Sequence, residues 1–136
     1  MNPYNYALSL RTTHPTMSGS ELSNLIGLEA EIVHNVGEQR RTPTNQMLDG
    51  IYHKSYCSFK LVDGPEPALL ESIRTWNDHL ATKRAELAKI LSTGGIIEYF
   101  VGVFLDKNIG IELEANDMKR LSDLGIRVAL DIYPKG

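Results

Sequence analysis

The fold of this chain is decided by residues 96–134, which read IIEYFVGVFLDKNIGIELEANDMKRLSDLGIRVALDIYP. The stretch opens with a predicted strand over 96–105. This strand is apolar on both faces except at Glu98, a pattern typical of a strand covered on both sides of a sheet. A turn over 106–108 leads back into a second alternating run over 109–114, which predicts an exposed strand.

A helix and a last strand complete this stretch. The helix is predicted over 116–124, Gly125 ends it in the left-handed conformation, and residues 126–133 alternate as a strand. The first third of the chain has the same order: a strand over 4–12, a helix over 18–26 with a capping box at Ser18 and Glu21, Gly27, and an extended run over 29–36. The chain therefore reads as two related halves of one α+β domain.

The middle of the chain supplies the remaining elements. Residues 37–50 are polar, contain Pro43 and lack periodicity, so a long loop is predicted there. Residues 51–61 alternate as a strand. The longest helical pattern covers 66–92, where apolar residues recur at steps of three and four except for a gap near Arg84: Leu69, Ile73, Trp76, Leu80, Leu87 and Leu91.

These elements predict one domain over residues 1–136. Its expected architecture is a mostly antiparallel sheet with one long helix packed across it and two short helices. We interpret this arrangement as ferredoxin-like with an internal pseudo-repeat. A chain of 136 residues is long enough to bury a core without disulfides or metals.

Composition and charge narrow the classes of function. The formal net charge is −3, from 14 basic and 17 acidic residues, which disfavours a protein built to neutralise phosphate backbones. The single cysteine, Cys57, excludes an intramolecular disulfide and disfavours a thiolate zinc site. Because the N-terminus lacks the pattern of a secretory signal and no apolar run would span a bilayer, a cytoplasmic protein is expected.

The charge is unevenly distributed along the chain. Residues 34–60 hold four lysines and arginines against two acids, whereas residues 98–117 hold five acids and one lysine. This separation predicts a contact face for a protein partner. Exposed strand edges also make a homodimer an expected assembly.

Several segments in this order resemble a bacterial family known as domain of unknown function 4279. The resembling segments are YALSL at 6–10, ELSNLIGL at 21–28, VGE at 36–38, LSDLG at 121–125 and LDIY at 130–133. Members usually carry a Trp-Ser pair where this chain has Cys57 and Ser58. The resemblance implies a small cytoplasmic bacterial α+β protein without an established activity, and it carries over no catalytic residue.

The candidate interaction residues are Arg40, Arg41 and Lys54. Two adjacent arginines in a polar loop suit a phosphate or carboxylate, although a solvated loop is the interpretation that we favour. The loop lacks the glycine spacing and the following helix of a phosphate-binding loop. Lys54 shares a strand face with Tyr52 and Tyr56, an arrangement that suits stacked bases or packing against the long helix.

No other set of residues predicts a catalytic or metal site. The four histidines form neither an i, i+4 pair nor an HExxH motif, so we interpret them as residues with local partners. Cys57 lies on an apolar strand face, where a thiol behaves as a small hydrophobe with a raised pKa. Acidic residues at 112, 114 and 117 are expected to keep an exposed strand soluble rather than to bind a cation.

Three functions follow from these observations. The first is a non-enzymatic binding or protein-interaction module without a cofactor, which the missing catalytic set and the separated charges favour. The second is a small-ligand sensor or enzyme whose pocket uses the 37–50 loop with Arg40 and Arg41. The third is a single-stranded nucleic-acid binder that uses the sheet face, and the negative net charge disfavours it.

Overall fold

A computed structural model of the chain describes residues 4–134. Residues 1–3 and 135–136 lie outside this range. They include both ends of the predicted domain and the start of the N-terminus, where no secretory signal is expected. The elements are β1 (Asn5–His14), α1 (Gly19–Ile26), β2 (Ile32–His34), β3 (Gln39–Arg41), β4 (Met47–Ile51), β5 (Ser55–Gly64), α2 (Leu69–Ala81), α3 (Arg84–Ser92), β6 (Ile96–Leu105), α4 (Ala115–Leu124) and β7 (Ile126–Pro134).

The main sheet has five strands in the order β2-β5-β1-β6-β7. All of its neighbouring strands are antiparallel except β6 and β7, which are parallel. Strands β3 and β4 form a separate two-stranded sheet. The predicted α+β class with a mostly antiparallel sheet is therefore confirmed.

The helices cover one face of the main sheet. On β1 the even-numbered residues Tyr6, Leu8 and Leu10 are fully buried, and they belong to one cluster with the buried residues of all four helices. Strict alternation in the sequence produces this one-sided burial, because successive strand residues point to opposite faces. Each fully buried leucine stabilises the fold by about 1.5–3 kcal/mol.

Both glycine-terminated helices form as predicted. The Ser18 hydroxyl accepts a hydrogen bond from the Glu21 N–H at 3.1 Å and caps α1. Gly27 at the end of α1 and Gly125 at the end of α4 have φ angles of +80° and +73°, the left-handed region that glycine adopts without steric cost. Each cap N–H donates to a carbonyl of the last helical turn.

The predicted single long helix over 66–92 is wrong, because the chain forms α2 and α3 with a break between them. The start moves to Leu69 because prolines at 65 and 67 precede it. At the break, the Thr82 hydroxyl and N–H both donate to the His79 carbonyl, at 2.6 and 3.2 Å. This tight turn reorients the chain so that Leu87 on α3 enters the core.

The strand predicted over 109–114 is also wrong. These residues form no ladder and no helix, yet Ile109, Ile111 and Leu113 pack against the core, whereas residues 110, 112 and 114 are exposed. An extended segment that crosses a surface shows the same alternation as a strand, so the sequence pattern does not distinguish the two. This segment connects β6 to α4.

The predicted loop over 37–50 contains the hairpin of β3 and β4. All residues of both strands are exposed, so no apolar periodicity marks them. The hairpin turns at residues 42–45, where the Asn45 N–H donates to the Thr42 carbonyl at 2.8 Å and Asn45 has a φ of +68°. Asparagine tolerates this left-handed conformation.

The structure does not show a ferredoxin-like fold with one long and two short helices. It has four helices in its described part and a fifth strand, β7, parallel to β6. The predicted pseudo-repeat is wrong in its second half, because the run over 109–114 that was to match β1 is not a strand. With β6 in its place, β1-α1-β2 and β6-α4-β7 share only the order strand, helix, glycine, strand. In the first of these β5 lies between the two strands, whereas in the second they are neighbours.

Candidate binding surface on the open sheet face

The second face of the main sheet carries polar and aromatic side chains. On β1 the residues on this face are Ser9, Arg11 and Thr13, which alternate with the buried core residues. The prediction that central strand β6 is covered on both sides is wrong: on this face Gly102 is buried, but Ile96, Glu98, Phe100 and Phe104 are only half-buried. The Phe104 ring stacks on Tyr133 of the neighbouring strand β7, with centroids 5.1 Å apart.

Arg11 lies at the centre of this open face. Its guanidinium carbon is 3.5 Å from the centroid of the Phe100 ring, a cation–π contact. Its Nε atom is buried and has no hydrogen-bond partner within residues 4–134. A buried donor without a partner costs free energy. Arg11 therefore brings to this face a positive charge and a hydrogen-bond donor that no described residue satisfies.

Two adjoining grooves on this face share Thr13, Lys54 and Tyr56. One has a volume of about 270 Å³ and also contains Arg11, Ile96, Glu98 and Arg127. The other has a volume of about 440 Å³ and runs between the sheet and the β3-β4 hairpin, where it also contains Arg40, Ile51 and residues 49, 50, 52 and 53. We call the two together the basic groove.

The basic groove concentrates positive charge in a chain that is negative overall. It contains four cationic side chains, from Arg11, Arg40, Lys54 and Arg127, and two carboxylates, from Asp49 and Glu98. Such a concave surface with an excess of one sign of charge attracts ligands of the opposite sign. Anionic groups are therefore the chemistry that this groove suits.

The structure places the two predicted arginines on different sides of the hairpin. Arg40 lies in the basic groove together with Lys54. Its Nη1 donates a hydrogen bond to the Asp49 carbonyl at 3.3 Å. Arg41 lines another groove, of about 550 Å³, and its Nη1 donates to the Asn45 carbonyl at 3.4 Å. Adjacent strand residues point in opposite directions, so the pair does not form one clamp.

The groove around Arg41 is more mixed in character. It contains two carboxylates, from Glu31 and Glu38, and its aromatic wall is formed by His34 and Tyr52. These two rings stack with centroids 4.3 Å apart and planes 11° from parallel. This contact anchors the base of the hairpin to β2, and it explains Tyr52 without packing against a helix.

The hairpin also presents apolar side chains to solvent. Met47 is 67% exposed, and Leu48 and Ile51 are exposed as well. Ile51 lines the basic groove. Met47 is the cross-strand partner of Arg41, so it lies on the side of the hairpin away from Arg40.

Sequence reasoning missed two cationic residues of the basic groove, Arg11 and Arg127. Arg11 lies on the first strand and Arg127 on the last, and only the insertion of β6 between β1 and β7 brings them to one groove. The available signal was their position on the polar face of alternating strands. Without the strand order, that signal does not identify their neighbours.

The histidines have local partners or lie at the surface. His14 is buried, and its Nδ1 accepts hydrogen bonds from the N–H groups of Thr16 and Met17, at 3.0 and 2.9 Å. Its Nε2 therefore carries the hydrogen and donates to the Thr93 hydroxyl at 2.7 Å. Within residues 4–134 no three histidine, cysteine or acidic side chains come together as metal ligands.

The acidic residues near the start of α4 have separate roles. Asp117 is buried and accepts two hydrogen bonds from Arg74, from Nε to Oδ1 and from Nη2 to Oδ2, both at 2.8 Å. Its Oδ2 also accepts from the Glu114 N–H at 3.0 Å. The expectation that Asp117 keeps an exposed strand soluble is therefore wrong, because this carboxylate joins α4 to α2.

We expect Cys57 to resist modification in the native protein. Its side chain is fully buried, its Sγ–H donates to the Gly19 carbonyl at 3.3 Å, and burial raises the pKa of the thiol to about 11. Little reactive thiolate then forms at about pH 8. Dithionitrobenzoate should release its chromophore only after urea is added, and rapid release from the folded protein would contradict this assignment.

No family model, curated protein or solved structure matches this chain. Among the described helices, none has both the length and the apolar composition needed to cross a membrane.

Proposed function

We infer that the chain is a non-enzymatic protein-interaction module that binds an acidic segment of a partner protein in the basic groove. The observation that carries this proposal is the meeting of four cationic side chains from separate parts of the chain, opposed by two carboxylates. Arg40, Lys54 and Arg127 are exposed, and Arg11 is half-buried.

The hairpin favours a polypeptide over a small anion. The groove is bordered on the hairpin side by the exposed side chain of Ile51. A segment that carries both acidic and apolar residues would contact the cations and Ile51 together, with charge setting orientation and the apolar contact adding affinity. An inorganic anion would use only the charges.

Cys57 and His14, two side chains of types that can do nucleophilic or acid–base work, are occupied in the interior. Cys57 has a raised pKa and a carbonyl acceptor, and His14 uses both ring nitrogens in structural hydrogen bonds. This arrangement supports a binding role. As part of the same proposal, we place the chain among the small cytoplasmic bacterial proteins of domain of unknown function 4279.

Selection from a random peptide-display library tests this function. We expect peptides enriched on the wild-type protein to be rich in aspartate and glutamate and to be lost on the double variant Arg40→Ala/Lys54→Ala. The matched control is Arg84→Ala/Lys89→Ala, which removes the same two residue types from exposed positions on α3. Peptides without acidic enrichment, or equal retention on both double variants, would contradict the proposal.

Fluorescence polarisation separates this function from its alternatives. A labelled peptide of alternating glutamate and leucine should bind at low salt, more weakly at moderate salt, and at least about tenfold more weakly to the Arg40→Ala/Lys54→Ala variant, a change of about 1.4 kcal/mol. Preference for oligothymidylate would favour the nucleic-acid function. Competition by inorganic phosphate at low concentration would favour a small-ligand sensor or an enzyme that uses the 37–50 loop.

A further inference from the structure

Strand β7 is an edge of the main sheet that no other described element covers. It is nine residues long and pairs along its whole length with β6 on one side. On its other side, the described residues provide no strand partner. A long edge strand with free backbone donors and acceptors is a site at which another strand can be added.

The sequence of this edge is self-complementary about Ala129. Residues 126–132 read IRVALDI. Each apolar residue on one side of Ala129 is matched by an apolar residue at the same distance on the other side. The basic Arg127 is matched in the same way by the acidic Asp131. Two copies of this segment in antiparallel orientation would therefore place apolar residues opposite apolar residues on one face, and opposite charges together on the other.

The faces of β7 agree with this pairing. Arg127, Ala129 and Asp131 lie on the open face, whereas Val128 and Leu130 lie on the helix side opposite Tyr99 and Val101 of β6. In an antiparallel pair centred on Ala129, Arg127 would face Asp131 of the second copy twice. Val128 would face Leu130 of the second copy. Directly opposite side chains of this kind are 4.5–5.5 Å apart and interact.

The residues that this pairing would cover are exposed in the single chain. Leu130 is 52% and Ile132 is 57% exposed, although both lie on the helix side of the sheet. They border a groove of about 290 Å³ whose other wall includes Val103, Ile109 and Ile111. Addition of a second β7 would place apolar side chains beside this open apolar surface.

The charges at the same edge are available for a second copy. Arg127 is exposed and forms no ion pair with any of residues 4–134. Asp131 accepts a hydrogen bond from the Tyr133 hydroxyl and has no ion pair within the same residues. Within one strand Arg127 and Asp131 are four residues, about 13 Å, apart, so they do not neutralise each other.

We propose that this protein forms a homodimer through antiparallel pairing of β7 with β7 of a second copy, with Ala129 at the two-fold axis. The two five-stranded sheets then form one continuous sheet. A slip of one residue would turn the apolar set to the opposite face. Only the register centred on Ala129 joins the opposite charges and the apolar residues at the same time.

Charge reversal with rescue tests this proposal by sedimentation equilibrium. Arg127→Asp would place two pairs of carboxylates opposite each other, and Asp131→Arg would place two pairs of guanidinium groups opposite each other. Each single variant should therefore raise the dimer dissociation constant at least tenfold. The double variant Arg127→Asp/Asp131→Arg should restore it, because the opposite charges meet again between chains.

A disulfide test fixes the register. Ala129→Cys would face its own copy at a Cα separation of about 4.5–5.5 Å, within the range for a disulfide. Arg127→Cys, on the same strand and face, would lie about 13 Å from its own copy, and both variants are oxidised at a concentration at which sedimentation shows each to be dimeric. Oxidation should link the first variant and not the second, and Cys57 is too buried to take part.

A wild-type protein that stays monomeric at all concentrations would overturn the proposal. Arg127 and Asp131 would then be charges that keep an exposed edge strand from pairing with another strand. Failure of the double variant to restore the dimer, or equal disulfide formation at 127 and 129, would also overturn it. Arg127 also belongs to the basic groove, so peptide binding is compared on Asp131→Arg, which leaves all four groove cations in place. Loss of the dimer with retained peptide binding, or a dimer that binds no acidic peptide, then distinguishes the failure of one proposal from the failure of the other.

Discussion

Replacement of Asp117 by asparagine is expected to lower the free energy of unfolding by about 2 kcal/mol at neutral pH. The variant removes the negative charge that receives two hydrogen bonds from Arg74 and one from the Glu114 N–H. Because the Arg74 side chain is 43% exposed, solvent screens the ion pair and the loss falls below that of a fully buried pair. Urea titration followed by circular dichroism measures this change.

The pH dependence of unfolding identifies the source of this stability. The hydrogen bonds from Arg74, helped by the Glu114 N–H, lower the pKa of Asp117 from 3.8 to about 2, although burial opposes the shift. The stabilisation is therefore complete above about pH 4 and is lost as the pH falls towards 2. The difference between wild type and Asp117→Asn should shrink over that interval.

Asp123→Asn is the matched control on the same helix. Asp123 accepts a hydrogen bond from Lys119 at 3.0 Å, but both side chains are largely exposed, so the expected change is below about 0.5 kcal/mol. If Asp117→Asn and Asp123→Asn lost equal stability, or if the difference between wild type and Asp117→Asn did not change between pH 5 and pH 2, the structural role assigned to Asp117 would be wrong.

Gly125→Ala is expected to destabilise the fold by about 3 kcal/mol. Two costs add at this position. The backbone has a φ of +73°, which an L side chain adopts at a cost, and an added Cβ would lie 2.3 Å from Cδ1 of Leu91 on α3. The leucine must move for the variant to fold, so the interface of α3 with the turn into β7 is disturbed. Chemical denaturation measures the loss.

Gly110→Ala provides the comparison for this prediction. Gly110 lies in the connection from β6 to α4, outside the left-handed region, and an added Cβ meets no atom within 4 Å. The alanine there is expected to leave the free energy of unfolding unchanged or slightly raised, since it restricts the unfolded chain. Equal destabilisation by the two variants would show that the close approach of Leu91 does not determine the cost at Gly125.

The sequence predicts the parts of the fold in which local signals and burial agree. Alternation along β1 identifies its buried face, and the cap at Ser18 with the glycine at 27 defines α1. These signals are local: they depend on residues a few positions apart. The break between α2 and α3 depends instead on the packing of Leu87 in the core, which no local sequence pattern specifies.

The hairpin was not predictable for a related reason. Its strands lie apart from the core, so the apolar alternation that marks β1 is missing from residues 39–51. The turn chemistry at Asn45 was the only local indication. Residues 109–114 show the reverse case, because they alternate in burial without forming a ladder.

The candidate site was predictable only in part. Arg40 and Lys54 come from one basic segment of the chain, and the structure brings them together in the basic groove. Arg11 and Arg127 join them through the strand order of the sheet, which the sequence did not reveal. The separation of Arg41 from Arg40 follows from the hairpin, since a strand sends adjacent side chains to opposite sides.

A nuclear magnetic resonance titration with the peptide of alternating glutamate and leucine tests the proposed binding surface most directly. The account predicts that backbone amide shifts concentrate at Arg11, Thr13, Arg40, Lys54 and Tyr56, around the basic groove, and are absent from the Arg40→Ala/Lys54→Ala variant. Shifts confined to helices α2 and α3, or no shifts at low salt with a correctly folded protein, would contradict it.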